Sequence, residues 1–246
     1  MRSQYIPPPG RPPITPADDT RLTAAEVSPC PRSRLPLGAP RHLPPMPSFS
    51  PRVVGREAEL VYLLERWGKT LDGARQVVFL SGEAGIGKTT LTEAFVALLP
   101  RQPDVWIARG QCVEPYGAGE AYLPVLEAVG RLGREPGKGA VMAVFAQYAP
   151  TWLAQLPALV PAAERAGLER VLAGATRARM LRELVDALEV LSVQQLLVLV
   201  LEDLHWSDPS TVEFLAYLLR RQGRARLFLI GTYRPTEILA ADHPLK

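Results

Sequence analysis

Gly82-Glu83-Ala84-Gly85-Ile86-Gly87-Lys88-Thr89 places glycines, a lysine and a threonine at the spacing G-x-x-x-x-G-K-T. That spacing suits one task, enclosing a chain of phosphates. Glycines let the backbone curl so that several N–H groups point at one place. A helix starting at the end of the loop aims the positive end of its dipole at the same place. Lys88 then reaches the β- and γ-phosphates, and the Thr89 hydroxyl ligates Mg²⁺. The flanks are those the motif requires: residues 76–81 are a short apolar run of strand composition, and 89–99 read as a helix.

Two further groups stand where strands end. Residues 196–201 are apolar at every position, the pattern of a strand covered on both faces in a parallel sheet. Glu202 and Asp203 follow directly, at the end of the strand where ligands bind in such sheets. One carboxylate there can hold Mg²⁺ and its neighbour can polarise an attacking water. The residue types leave open which acid does which. Thr232-Tyr233-Arg234 closes the next strand, and a cation there can stabilise charge in phosphoryl transfer. His205 and Trp206 follow the acids; a lone histidine is a structural residue or a phosphate-sensing switch. Cys112 has no histidine close in sequence to activate it as a nucleophile.

The elements that must position these groups follow from periodicity. Leu60, Leu63, Leu64 and Trp67 make one apolar face of a helix from Glu57 that stops near 68–73. A second strand is expected over 104–110, helices over 123–132 and 140–148, and a Pro-interrupted helical stretch over 152–172. Met180, Leu181, Leu184, Val185, Leu188 and Leu191 form one stripe of a stronger helix over 176–191. Asp208-Pro209-Ser210 caps a helix reaching Arg220, and 226–232 is the last strand. Strands alternating with helices make an α/β domain with a parallel sheet. Trp106 and Trp152 are read as core residues.

Residues 1–50 hold 13 of the 25 prolines and no hydrophobic periodicity. They read as a disordered or polyproline-like tail or linker, with docking to a proline-binding partner as the alternative. The domain proper is expected over 51–246. Lys+Arg 28 against Asp+Glu 25 gives a net charge of +3, which provides no electrostatic case for nucleic-acid contact. Cys30 and Cys112 lack metal-ligand spacing and read as free thiols of a reducing, cytoplasmic compartment. The longest aliphatic run, 196–201, is too short to span a bilayer.

Taken together, Val54-Gly55-Arg56-Glu57, Gly82 to Thr90, Leu201 to Asp208 and Gly231-Thr232-Tyr233-Arg234-Pro235 resemble the AAA-type ATPase module of STAND signalling proteins. These are multidomain bacterial regulators carrying cyclase, kinase or DNA-binding effectors. The resemblance implies a P-loop NTPase fold, a three-layer α/β/α sandwich with strand order 5-1-4-3-2. It implies ATP and Mg²⁺ as ligands and a bound nucleotide that switches an effector domain or partner protein. It implies that Val54, Gly55 and Arg56 pack near adenine and ribose. Gly82, Glu83, Ala84, Gly85, Ile86, Gly87, Lys88, Thr89 and Thr90 would then form the phosphate loop, with Arg234 at the sensor position. The acids depart from the usual Asp-then-Glu order. Glu202 then falls on the Mg²⁺ position with Thr89, and Asp203 on the water-activating one. The shorter side chain of Asp203 predicts slow hydrolysis. The chain also stops soon after its fourth strand, before the family's fifth strand and winged-helix lid. That implies a domain cut after the fourth core strand, with strand 77–81 on an exposed edge.

Two other readings compete with an ATPase switch. A P-loop kinase for a small molecule needs an arginine-bearing lid, and the arginines of 114–175 do not cluster. A nucleotide-binding interaction module without turnover needs only the loop.

Overall fold

The computed structural model describes residues 54–100, 105–114, 120–135, 138–241 and 243–246. The expected tail 1–50, Cys30, the domain's expected first residues 51–53 and the middle of the 114–120 loop lie outside them.

Helix and strand alternate as the periodicity requires. α1 (Glu57–Leu71) leads into β1 (Gln76–Ser81), and α2 (Lys88–Leu98) leaves the glycine loop. β2 (Val105–Gln111) precedes a run of helices: α3 (Leu123–Leu132), α4 (Lys138–Tyr148), α5 (Pro150–Ala154), α6 (Ala162–Ala173) and α7 (Arg177–Gln194). Then come β3 (Leu196–Glu202), α8 (Pro209–Arg220), β4 (Leu227–Tyr233) and α9 (Pro235–Ala240). The stretch read as a Pro-interrupted helix is α5, a 3₁₀ turn at Pro157–Leu159 and α6. Pro157 opens that turn and Pro161 precedes α6, because proline cannot continue a helix already begun. α9 is an addition to the expected elements.

The strands form one parallel sheet in the order β1-β4-β3-β2. β3 and β4 are its centre, and their all-apolar composition has a simple cause. Leu197, Leu199, Leu201, Leu227 and Leu229 enter the core beneath α3, α7 and α8. Val198, Val200, Phe228 and Ile230 enter the core on the opposite face, with Leu63 and Trp67 of α1 and Phe95 of α2. Helices cover both faces, so alternation would expose nothing and buries no less. The sheet is the middle layer of an α/β/α sandwich, as expected. Among the described residues β1 has β4 as its one neighbour, and Phe79 on it is 39 % exposed. The edge position anticipated for strand 77–81 is therefore observed. Arg75, just before β1, ties that edge down: its guanidinium donates to Leu218 O and Arg221 O at the end of α8 and pairs with Glu189 of α7.

The cap read at the start of α8 is formed. Asp208 Oδ1 accepts from Ser210 N–H at 2.9 Å and Thr211 N–H at 3.0 Å, with Pro209 at the first helical position. Asp208→Ala is expected to lower unfolding stability by about 1 kcal/mol, and Asp208→Asn by much less. Equal loss in both variants by urea denaturation would show that the cap is not what Asp208 supplies.

Candidate functional site

β1 and β4 deliver their chain ends side by side. Ser81 is in register with Tyr233, and Gly82 N–H donates to Tyr233 O at 3.2 Å. The loop then turns through Gly85 (φ +74°) and Gly87 (φ +93°), conformations that side chains with a Cβ resist. Ala84 and Ile86 lie on its exposed outer side. Lys88 is the first residue of α2, and its Nζ donates to Gly82 O at 2.6 Å and Glu83 O at 3.0 Å. The ammonium thus sits inside the curl. Thr89 and Thr90 follow in the first turn of the helix.

Glu202 ends β3, two strands away. Burial pushes its carboxyl above the usual carboxylate range; the Thr89 hydroxyl and the charge of Arg109 pull it back, while Asp203 and Glu93 push it further up. Its Oε1 is buried without a hydrogen-bond partner. A buried, under-satisfied carboxylate oxygen beside a threonine hydroxyl suits a hard divalent cation such as Mg²⁺. Among the described residues no three His, Cys, Asp or Glu side chains cluster as a metal cage.

Asp203 adopts a left-handed φ of +56°, tolerated better by Asp than by branched residues. Its N–H donates to Thr232 Oγ1 at 3.0 Å, and its Oδ2 accepts from Gln111 Nε2 at 3.3 Å. β2 and β4 therefore both help to orient it. Gln111 is not picked out by sequence, and Thr232 is read only as part of the strand end that carries Arg234, since a single polar residue at a strand end carries no local pattern.

Arg234 is less available than its position suggested. Its Nη1 donates to Glu237 Oε1 at 2.6 Å, its guanidinium lies 5.2 Å over the Trp206 ring, and its Nε is buried without a partner. Glu237 had one legible sign, an acid two residues after Pro235, the composition of a helix start. The His205 side chain has no exposed surface, and its ring packs on Trp206. Burial pushes its pKa down, Glu237 and Asp203 pull it up, and Arg234 and Lys88 push it down further.

Of the expected adenine-side segment, Arg56 meets the loop: its Nη2 donates to Ile86 O at 3.2 Å. A cleft of about 150 Å³ opens between Arg56, Phe79, Ser81, Ile86, Lys88 and Leu91. Gly55 N–H turns instead to Glu57, and Val54 is 84 % exposed. Cys112 is a buried free thiol whose pKa is pushed up to about 12, mostly by burial, which removes it as a nucleophile. Trp106 and Trp152 are core residues, as read.

A parallel sheet with a glycine loop, lysine and threonine on one strand and an acidic pair on the next but one is the site of a P-loop nucleotide-binding protein. A family model described as AAA ATPase domain matches residues 52–230, and the chain belongs to that family, whose chemistry is ATP binding and hydrolysis. An uncharacterized protein of Rhizobium meliloti (strain 1021) is 29 % identical to it over 208 residues. The match covers 79 % of this chain and 20 % of that relative, so the chain spans about a fifth of the relative's length. No described helix is long and apolar enough to cross a membrane.

Proposed function

We propose that this chain is an ATP-binding, slowly hydrolysing switch module of a signal-transduction or transcriptional regulator. The observation that carries this reading is the Lys88 ammonium held within the glycine loop by Gly82 O and Glu83 O, with a buried, unpartnered Glu202 Oε1 at the end of the central strand. In this reading the amides of Gly82 to Thr90 and the Lys88 ammonium hold the phosphates, and Thr89 and Glu202 hold Mg²⁺. The cation, when bound, offsets the phosphates' charge. Asp203 orients the attacking water and accepts its proton. Its short side chain, already hydrogen-bonded to Gln111, supports slow turnover. Arg234, paired with Glu237, supports the same conclusion. A slow hydrolase holds its triphosphate state long enough to bias a conformational equilibrium, and an effector domain or partner protein would read that bias.

The test is calorimetric binding of Mg²⁺-ATP together with phosphate release by the purified chain. Binding with turnover well below about one per second is expected, against kinase rates of roughly 1–100 per second. A motor-like rate would sink the switch reading, and phosphate transfer to small-molecule acceptors would make the protein a kinase.

Glu202→Gln separates the metal role from a structural one. Glutamine removes a carboxylate that burial disfavours in its charged form, so the nucleotide-free protein should melt at an equal or higher temperature. The gain in ATP affinity from Mg²⁺ should shrink by roughly tenfold. Unchanged Mg²⁺ dependence by calorimetry would remove Glu202 from the metal site.

A further inference from the structure

α9 carries a connected set of contacts beside the loop. Thr236 Oγ1 donates to Glu83 Oε2 at 2.8 Å, fastening the helix to the phosphate loop itself. Glu83 is also the residue whose carbonyl accepts from Lys88. The next residue of α9, Glu237, divides its two oxygens. Oε1 accepts from Arg234 at 2.6 Å, while Oε2 faces His205 Nε2 at 3.5 Å, too far for a hydrogen bond. Both His205 nitrogens and Arg234 Nε are buried with no hydrogen-bond partner. Three buried nitrogens therefore lack partners around one carboxylate, and unmade bonds of this kind are a standing cost of the arrangement. With the proton on Nε2, His205 offers Glu237 a second place to bind. Moving there would release the guanidinium and satisfy one of the unpartnered nitrogens. A carboxylate with two alternative donors has two discrete arrangements, which is what a switch requires.

We propose that Glu237 restrains Arg234, neutralising its charge in the arrangement seen here and releasing it to the γ-phosphate of a bound nucleoside triphosphate by transferring to His205. This rests on the reading of the loop as an ATP site and adds the regulation of that site. A γ-phosphate offers the freed guanidinium a doubly charged, bidentate partner, stronger than the single carboxylate bond it gives up. A diphosphate ends in an equally charged β-phosphate, but that group is the one the loop amides and Lys88 hold, so none is left over to displace Glu237. The restraint thereby makes Arg234 respond to triphosphate and not to diphosphate. The Thr236–Glu83 bond carries the change between α9 and the loop.

The experiment measures affinities of a non-hydrolysable ATP analogue and of ADP, each with Mg²⁺, for the full chain. The chains compared are wild type, Glu237→Gln, Arg234→Ala and the double variant. Removing a negative charge near a polyanion strengthens both ligands, so the ratio of the two affinities is the readout. Glu237→Gln should raise the triphosphate-to-diphosphate ratio by roughly fivefold, and the double variant should show the ratio of Arg234→Ala alone. Arg234→Ala by itself should lower the ratio, which keeps the test decisive if the glutamine variant is poorly folded. An unchanged or lowered ratio in Glu237→Gln overturns the restraint, as does the same gain in the Arg234→Ala background. Wild type that binds neither ligand overturns the ATP reading and the restraint with it; binding with an unmoved ratio overturns the restraint alone.

Discussion

Lys88→Ala is expected to lower the affinity for Mg²⁺-ATP by roughly a hundredfold, about 2.7 kcal/mol, without abolishing binding. The size follows from what is lost and what stays. The lysine ammonium is held inside the curl, bonded to Gly82 O and Glu83 O, where phosphate oxygens would take those bonds over. Charge-assisted hydrogen bonds to phosphate are about twice as strong as neutral ones. The loop's backbone amides and the start of α2 are untouched by the substitution, so a weak anion site persists. Calorimetry at fixed ionic strength measures the change, and a thermal melt controls for folding. The melt should move by only a few degrees, since the bonds lost are two side-chain contacts on a partly exposed loop. An alanine variant within about threefold of wild type would show that the loop does not hold a polyphosphate.

Gly110→Ala is expected to unfold far more readily than wild type, losing about 3 kcal/mol or more. A Cβ on Gly110 of β2 would lie 1.7 Å from the carbonyl oxygen of Pro124 in α3. That atom is backbone, so relief requires the helix to move away from the sheet. Gly231 of β4 is the control. A Cβ there meets Leu204 Cδ1 at 2.6 Å and the Phe79 ring at 2.8 Å and 2.9 Å, which are side-chain ends able to rotate. Gly231→Ala should therefore cost only about 1–2 kcal/mol. Strand and chain-entropy preferences would favour alanine at both sites, so a loss in either is steric. Urea midpoints shifted equally in the two variants would contradict the distinction between backbone and side-chain contact.

Much of this domain is legible in its sequence because it rests on short-range patterns. The uninterrupted apolar runs of β3 and β4 state that helices lie on both faces, and Val198 and Leu199 indeed enter different cores. The spacing from Gly82 to Thr89 states a phosphate loop, and the apolar run before Glu202 and Asp203 puts them at a strand end, where β3 indeed closes on Glu202. Partners joined across the chain are not legible. Gln111 reaches Asp203 over 92 residues and Thr236 reaches Glu83 over 153, and neither pair leaves a periodic trace. Arg234 shows the same limit. Its residue type and strand-end position could be read, but its neutralisation by Glu237 depends on a helix only six residues long, below the reach of periodicity.

The outermost place of β1 also sets how the domain gives way. Ladder bonds to β4 alone hold the strand from which the phosphate loop hangs, whereas Leu197 to Leu201 are held from both sides. β2 is the other edge among the described residues but is the more buried of the two, so partial opening should begin at the loop's own strand and reach the central pair last. A nucleotide bound at that loop would brace one of the two edges of the sheet. Occupancy would then be felt as a change in local cohesion along one edge, with the interior left as it was.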